Sequence, residues 1–93
     1  MSDAPGADVA RRNRRLWSAH VGFHAAAWVA LVAGLGLNLP GVRPILWVLP
    51  LSGLAGLAGL AIPAFRAGVG TGLLRTVAAV SVLALAPALL LAR

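Results

Sequence analysis

The chain has 93 residues, of which 60% are apolar and 11% charged, and its mean hydropathy is +0.92. Soluble domains carry about 25% charged residues, and a chain this short has too much surface for so few polar groups to cover, so a soluble globular enzyme is excluded and an integral membrane protein is expected. Eight arginines against two aspartates give a net charge of +6; their placement beside apolar runs points to membrane anchoring and not to nucleic acid, and the absence of cysteine removes disulfides, thiolate zinc sites and thiol catalysis.

Residues Met1 to Ala10 are small, polar and weakly acidic (Asp3, Asp8), with Pro5-Gly6 among them. They read as a disordered tail, which leaves 11–93 as the membrane domain. Four arginines follow, Arg11, Arg12, Arg14 and Arg15, and then 27 residues without a charge, Leu16 to Val42. A spanning helix needs roughly 20 apolar residues, so a first helix is expected over about 16–38. That run is too long for the core of a cleaved signal peptide, and no polar mature domain follows it. Pro40-Gly41 breaks the helix in a tight turn. A second uncharged stretch of 22 residues, Pro44 to Phe65, predicts a helix over 44–65 that Pro44 starts and Arg66 closes. Gly68, Gly70 and Gly72 form a flexible connection. It is not a phosphate-binding loop, since Leu73 and Leu74 stand where Lys and Ser/Thr are needed. The last uncharged stretch, Thr76 to Ala92, has 17 residues and spans if Leu73, Leu74 and a snorkelling Arg75 are added. It predicts a helix over 72–92, which contains Pro87. The expected fold is an all-α membrane protein, a small bundle of three transmembrane helices.

Arginine placement orients the bundle. With the N-terminus in the cytoplasm, Arg11, Arg12, Arg14, Arg15, Arg66 and Arg75 lie inside, and only Arg43 and Arg93 lie outside. The expected location is the bacterial inner (plasma) membrane, multi-pass, with the C-terminus outside. Trp17 and Trp47 fit interface belts, and Trp28 fits packing.

Helical spacing sorts the first helix into two faces. Trp17, His20, His24, Trp28, Leu31, Leu35 and Asn38 share one stripe. Ala19, Gly22, Ala26, Ala30 and Ala33 fall opposite. Small faces allow close backbone approach, the usual means of helix association in lipid, so Gly22, Ala26, Ala30 and Ala33 are candidate packing residues. The Gly-Leu-Ala repeat of Gly53 to Ala61 places Gly53, Gly56 and Gly59 together with Ser52 and Pro63 on one face of the second helix, and Ala84, Ala88 and Ala92 form a row on the third. Such rows read either as a packing or oligomer seam or as cheap small filler.

His20 and His24, one turn apart, are the candidate ligand positions. Their spacing suits a helical metal site, and a membrane histidine can hold haem or a chlorophyll-type pigment. No third ligand accompanies them, so interfacial or interhelical hydrogen bonding is the competing reading, and no metal or cofactor is expected. Asn38 is placed to cap the helix or bond across to a neighbour. No carboxylate lies within an apolar stretch, which argues against proton-coupled or cation transport.

The run His24-A-A-A-Trp28-V-A-Leu31-V-A-G-Leu35-G-L-Asn38 resembles the first helix of the bacterial 2TM domain, in which a His is followed one turn on by an aromatic residue, then by aliphatics and a terminal Asn. Trp47-V-L-Pro50-L-S-Gly53 is similar to that family's Trp, Pro and Gly run, and Gly59-L-A-I-Pro63-A-Phe65-Arg66 to its closing pattern. The resemblance covers about Arg11 to Arg66. This chain has Pro63 where the family has its second-helix His, Val32 where a mid-helix Asn is usual, and a third helix beyond the domain's normal end. The resemblance implies a membrane module, alone or fused to signalling domains, with no established activity and no catalytic residues. The expected function is a non-enzymatic, helix-packing or interaction module whose partners are the lipid bilayer and either a second copy or another membrane protein. The alternatives are an accessory subunit of a respiratory or photosynthetic membrane complex and a holin-like permeabilising protein.

Overall fold

A computed structural model describes residues 5–91, with helices joined by short connections and no strand among the described residues. The elements are α1 (Pro5–Gly36), α2 (Arg43–Leu60), α3 (Pro63–Arg66), α4 (Thr71–Leu83) and α5 (Pro87–Leu91). Three stretches are long and apolar enough to cross a membrane: Gly6–Gly36, Arg43–Leu60 and Thr71–Leu91. The chain is a multi-pass membrane protein with an all-α, three-helix architecture. The long α1 runs one way, α2 returns, and α4 with α5 runs parallel to α1, with α4 packed on both α1 and α2.

Three expected boundaries need correction. Residues 5–10 are the first turns of α1, not a disordered tail; residues 1–4 lie outside the described residues. Pro5 opens the helix with the restricted φ of a first helical position, Asp8 supplies an acid in the first turn, and Arg11 meets Asp8 at 3.5 Å. With 32 residues, α1 is about 48 Å long. The hydrocarbon core of a bilayer is about 30 Å thick, so the arginine-bearing turns stand outside it. The second helix stops at Leu60 instead of Phe65 because Pro63 disfavours the helical conformation at the residue before it. Ile62 is extended (φ −95°, ψ 114°), and Pro63 starts the separate four-residue α3. The third helix is broken between Leu83 and Pro87. Pro87 has no N–H to donate, and the chain tightens into i→i−3 bonds there: Leu85 N to Val82 O, Ala86 N to Leu83 O and Ala88 N to Leu85 O, at 3.0–3.1 Å. Ala92 and Arg93 lie outside the described residues.

At the other end of α1, Asn38 has φ +55°. Leu39 N donates to Gly34 O at 2.9 Å and Asn38 N to Leu35 O at 3.2 Å. These two bonds are the Schellman closure, with Asn38 in its left-handed position. Of the two roles open to Asn38, the structure uses capping, through backbone conformation.

The burial pattern is inverted relative to a soluble bundle. Asn13, His24 and Ser81 are 0% exposed, whereas Val29, Leu37 and Leu89 are each 70% exposed. Lipid solvates the aliphatic exterior, but it offers no partners to polar groups, so these turn inward.

Candidate functional site: a polar ladder inside the bundle

Along α1, the side chains turned into the bundle are those of Ala10, Asn13, Trp17, His20, His24 and Leu31, with Trp28 half-buried between the last two. The steps of three and four residues make one continuous stripe. Four polar members bond to other elements. Asn13 Nδ2 donates to Ala64 O at 2.9 Å and to Ala67 O at 3.0 Å. Trp17 Nε1 donates to Phe65 O at 2.8 Å. His20 Nε2 meets Ser81 Oγ of α4 at 3.1 Å, and His24 Nε2 meets Ser52 Oγ of α2 at 2.8 Å. The ladder thus ties the long helix successively to the corner around α3, to α4 and to α2.

The row Ser52, Gly53, Gly56 and Gly59 is the seat for these side chains. A Cβ at Gly56 would collide with Ser81 Oγ and would lie 2.6 Å from His20 Nε2. At Gly59 it would come within 2.8 Å of the Trp17 ring, and at Gly53 within 2.5 Å of the Ser81 carbonyl oxygen. Glycine is required at these positions for lack of space. Leu85 N, one turn on from Ser81, donates to Val82 O and not to the Ser81 carbonyl.

The α1 packing face needs correction. Gly22, Ala26, Ala30 and Ala33 all lie on the exposed side of the bundle, and the stripe of large and polar residues is the one that packs. Two imidazoles, an indole N–H and an amide need partners that lipid cannot supply, and this outweighs the closer approach that the small face would allow. Trp17, expected in an interface belt, is 4% exposed and serves tertiary structure; Trp47, 60% exposed, does lie on the surface. Asn13 and Ser81 were not singled out from the sequence. Asn13 is masked by its arginine neighbours, yet it sits four residues before Trp17 on the same stripe. Ser81 lies between Val77 and Ala84 in spacings of four and three, and all three are buried.

The histidine rings lie 4.2 Å apart at 45°, with Trp17 edge-on to His20 (5.6 Å, 89°) and Phe23 edge-on to His24 (5.8 Å, 80°). Each uses Nε2 on a serine of a different helix. That is a stapling arrangement, and the two nitrogens do not converge on a common ion. Among the described residues no three His, Cys, Asp or Glu side chains gather as a metal site would require. His24 Nδ1 is buried without a partner. A neutral imidazole has one donor and one acceptor nitrogen, and an orphaned lone pair is better tolerated than an orphaned N–H. With its proton on Nε2, His24 donates to Ser52 Oγ and leaves a lone pair at Nδ1; Trp28 Nε1 is a second buried atom without a partner.

Beside the ladder, a cleft of about 240 Å³ runs between Leu16, Trp17 and His20 of α1 and Ala55, Gly56 and Gly59 of α2, closed by Phe65. The bonds from Asn13 and Trp17 to residues 64–67 bring Arg11, Arg12, Arg14 and Arg15 to the same end of the bundle as Arg66, with Arg75 close to the start of α4. Arg14 Nη1 also donates to Gly68 O at 3.3 Å. Arg43, at the start of α2, lies at the opposite end. Comparison with protein-family models, with characterised proteins and with solved structures gives no match for this chain.

Proposed function

We propose that this chain is a non-enzymatic interaction module of the bacterial inner membrane, akin to the 2TM domain, which associates with a second copy of itself through α1. Its N-terminus lies in the cytoplasm and its C-terminus outside. One observation carries the reading: Gly22, Ala26, Ala30 and Ala33 present an accessible small-residue face of α1 along three turns, while the polar side chains opposite are engaged in holding the bundle together. A face of this kind admits a second helix at short range and gains van der Waals contact there. The cation distribution supports the orientation, with six arginines at the end where α1 begins. The 2TM motif residues support the kinship. His24 and Trp28 lie on the inner stripe, Asn38 closes α1, and Ser52 is the histidine's partner in a chain that has Pro63 at the family's second histidine.

The chain has no cysteine, so single cysteines report contacts cleanly. Oxidation of membranes carrying Ala26→Cys or Ala33→Cys should give a covalent dimer. Leu54→Cys, exposed on α2, should not. Equal crosslinking from all three, or none from any, would defeat the reading.

A further inference from the structure

The cleft between α1 and α2 is left unused by this packing role. It lies beside the arginine-rich end of the bundle, since Phe65, which lines it, precedes Arg66, and polar groups that line it are already engaged: Trp17 Nε1 with Phe65 O and His20 Nε2 with Ser81 Oγ. What its walls offer is hydrocarbon and ring faces, from Leu16, Ala55, Gly59 and Phe65. Its volume, about 240 Å³, is below the roughly 300–1,000 Å³ of small-molecule pockets and suits part of a single chain.

The rim is different in chemistry. Arg12 precedes Leu16 by one turn on the same face of α1. Its Nη2 donates to Asn13 Oδ1 at 3.1 Å, and Asn13 in turn holds the carbonyls of Ala64 and Ala67, which flank Arg66. The side chain of Arg12 is therefore laid toward the corner that carries Arg66, and both arginines are exposed. Asp8, the one carboxylate residue among the described residues, is engaged with Arg11. The corner thus carries two exposed arginines close to Leu16 and Phe65, which line the apolar slot.

We propose that this corner and cleft form a binding site for one anionic phospholipid, with the phosphate between Arg12 and Arg66 and an acyl chain along Leu16, Ala55 and Gly59. Guanidinium groups match a phosphate with paired, charge-assisted hydrogen bonds, and basic pockets between helices on the membrane surface select acidic headgroups. A phosphatidylcholine carries the same phosphate but brings a cation to a corner that is already cationic, so it binds less well. The site requires only the membrane-embedded bundle; failure of self-association would not touch it.

Native mass spectrometry of the full chain in detergent tests this, with added dioleoyl phosphatidylglycerol, dioleoyl phosphatidylcholine or inorganic phosphate. The expected result is one retained phosphatidylglycerol, preferred over phosphatidylcholine and not displaced by inorganic phosphate. Arg12→Gln with Arg66→Gln should weaken retention about 25-fold, at about fivefold for each juxtamembrane charge. Arg43→Gln, at the far end, should leave it unchanged. Ala55→Trp fills the slot from an exposed position and should lower phosphatidylglycerol retention with the arginines intact. Helicity by circular dichroism establishes that each variant is folded. Equal retention of the two lipids would overturn the proposal. So would an equal loss in Arg43→Gln, which would mean diffuse charge, or displacement by inorganic phosphate, which would mean an anion site without a lipid.

Discussion

The two halves of the bundle are held by different physics. Where α1 begins, contacts are directional: Asn13, Trp17, His20 and His24 each bond a named atom on another element. Where α1 ends, the core is Leu31, Leu46, Leu49 and Ala84, with Ala27, Ile45 and Val42 against it and no side-chain hydrogen bond between helices among the described residues. In water, the second kind of core would dominate stability through the hydrophobic effect. In lipid the tails are as apolar as leucine, and that half retains only the packing contribution. The comparison teaches a division of labour. The polar half sets the register and rotation of α1, because a one-residue rotation would strand several polar groups at once. The apolar half fills space around a relationship already set.

The largest expected effect attacks the seat of the ladder. Gly56→Leu should destabilise the bundle by about 3 kcal/mol, the upper part of the usual range for overpacking, because even its Cβ collides with Ser81 Oγ and crowds His20. Leu57→Ala, one residue on and only half-buried, should cost well under half as much. Thermal unfolding in detergent compares them. Equal losses would mean that the glycine face is not a close contact.

In the apolar half, Leu49→Ala removes a fully buried side chain. We expect about 2 kcal/mol, the low end of the range for such truncations, because the transfer contribution is largely absent in detergent or lipid. A loss near 5 kcal/mol would erase the distinction between the halves and show that this core behaves as it would in water.

A smaller effect isolates one rung. A double-mutant cycle with His24→Ala and Ser52→Ala should give a coupling of about 0.6 kcal/mol, the average for interhelical hydrogen bonds in membranes. The rung confers specificity, so it need not be strong. A coupling of zero would leave His24 as mere filler.

These contrasts explain what was legible in the sequence. The three crossings and the break at Pro40-Gly41 follow from hydropathy and backbone chemistry, which are local, whereas the break before Pro63 is hidden in an uncharged stretch that continues to Phe65. The glycine row of α2 was visible as a repeat. Periodicity divided α1 into two faces but did not say which one turns inward, because that depends on whether partners such as Ser52 and Ser81 exist on other helices. The helical state of residues 5–15 is tertiary in the same way. Ala10 packs against Gly68, where a Cβ would collide with it, and Asn13 holds the corner at residues 64–67. Neither contact leaves a trace in the local pattern.

The smallest change in stability comes from the arginines, and it bears on which half faces which side. Replacing Arg11, Arg12, Arg14 and Arg15 by glutamine should barely alter the folded bundle, since all four side chains are exposed and exposed charges contribute little to stability. It should change how the bundle is inserted. Moving a positive charge outward against the membrane potential is unfavourable by about 2.3 kcal/mol per charge per 100 mV, so in the proposed orientation the four arginines together are expected to hold their end inside. Arg66 and Arg75 act at the same end, because the Asn13 and Trp17 bonds bring the α2–α4 connection there. In the unaltered chain, a reporter active only outside the membrane should be silent when fused after Gly70 and active when fused after Arg93. In the glutamine variant both fusions should show partial activity, the mark of mixed orientation with Arg66 and Arg75 alone retaining the inward bias. Silence at both sites in the unaltered chain would mean that the α4–α5 span, broken before Pro87, does not cross. The chain would then be a two-helix protein with an interfacial third segment, and the apolar half would be left to α1 and α2, without Ala84.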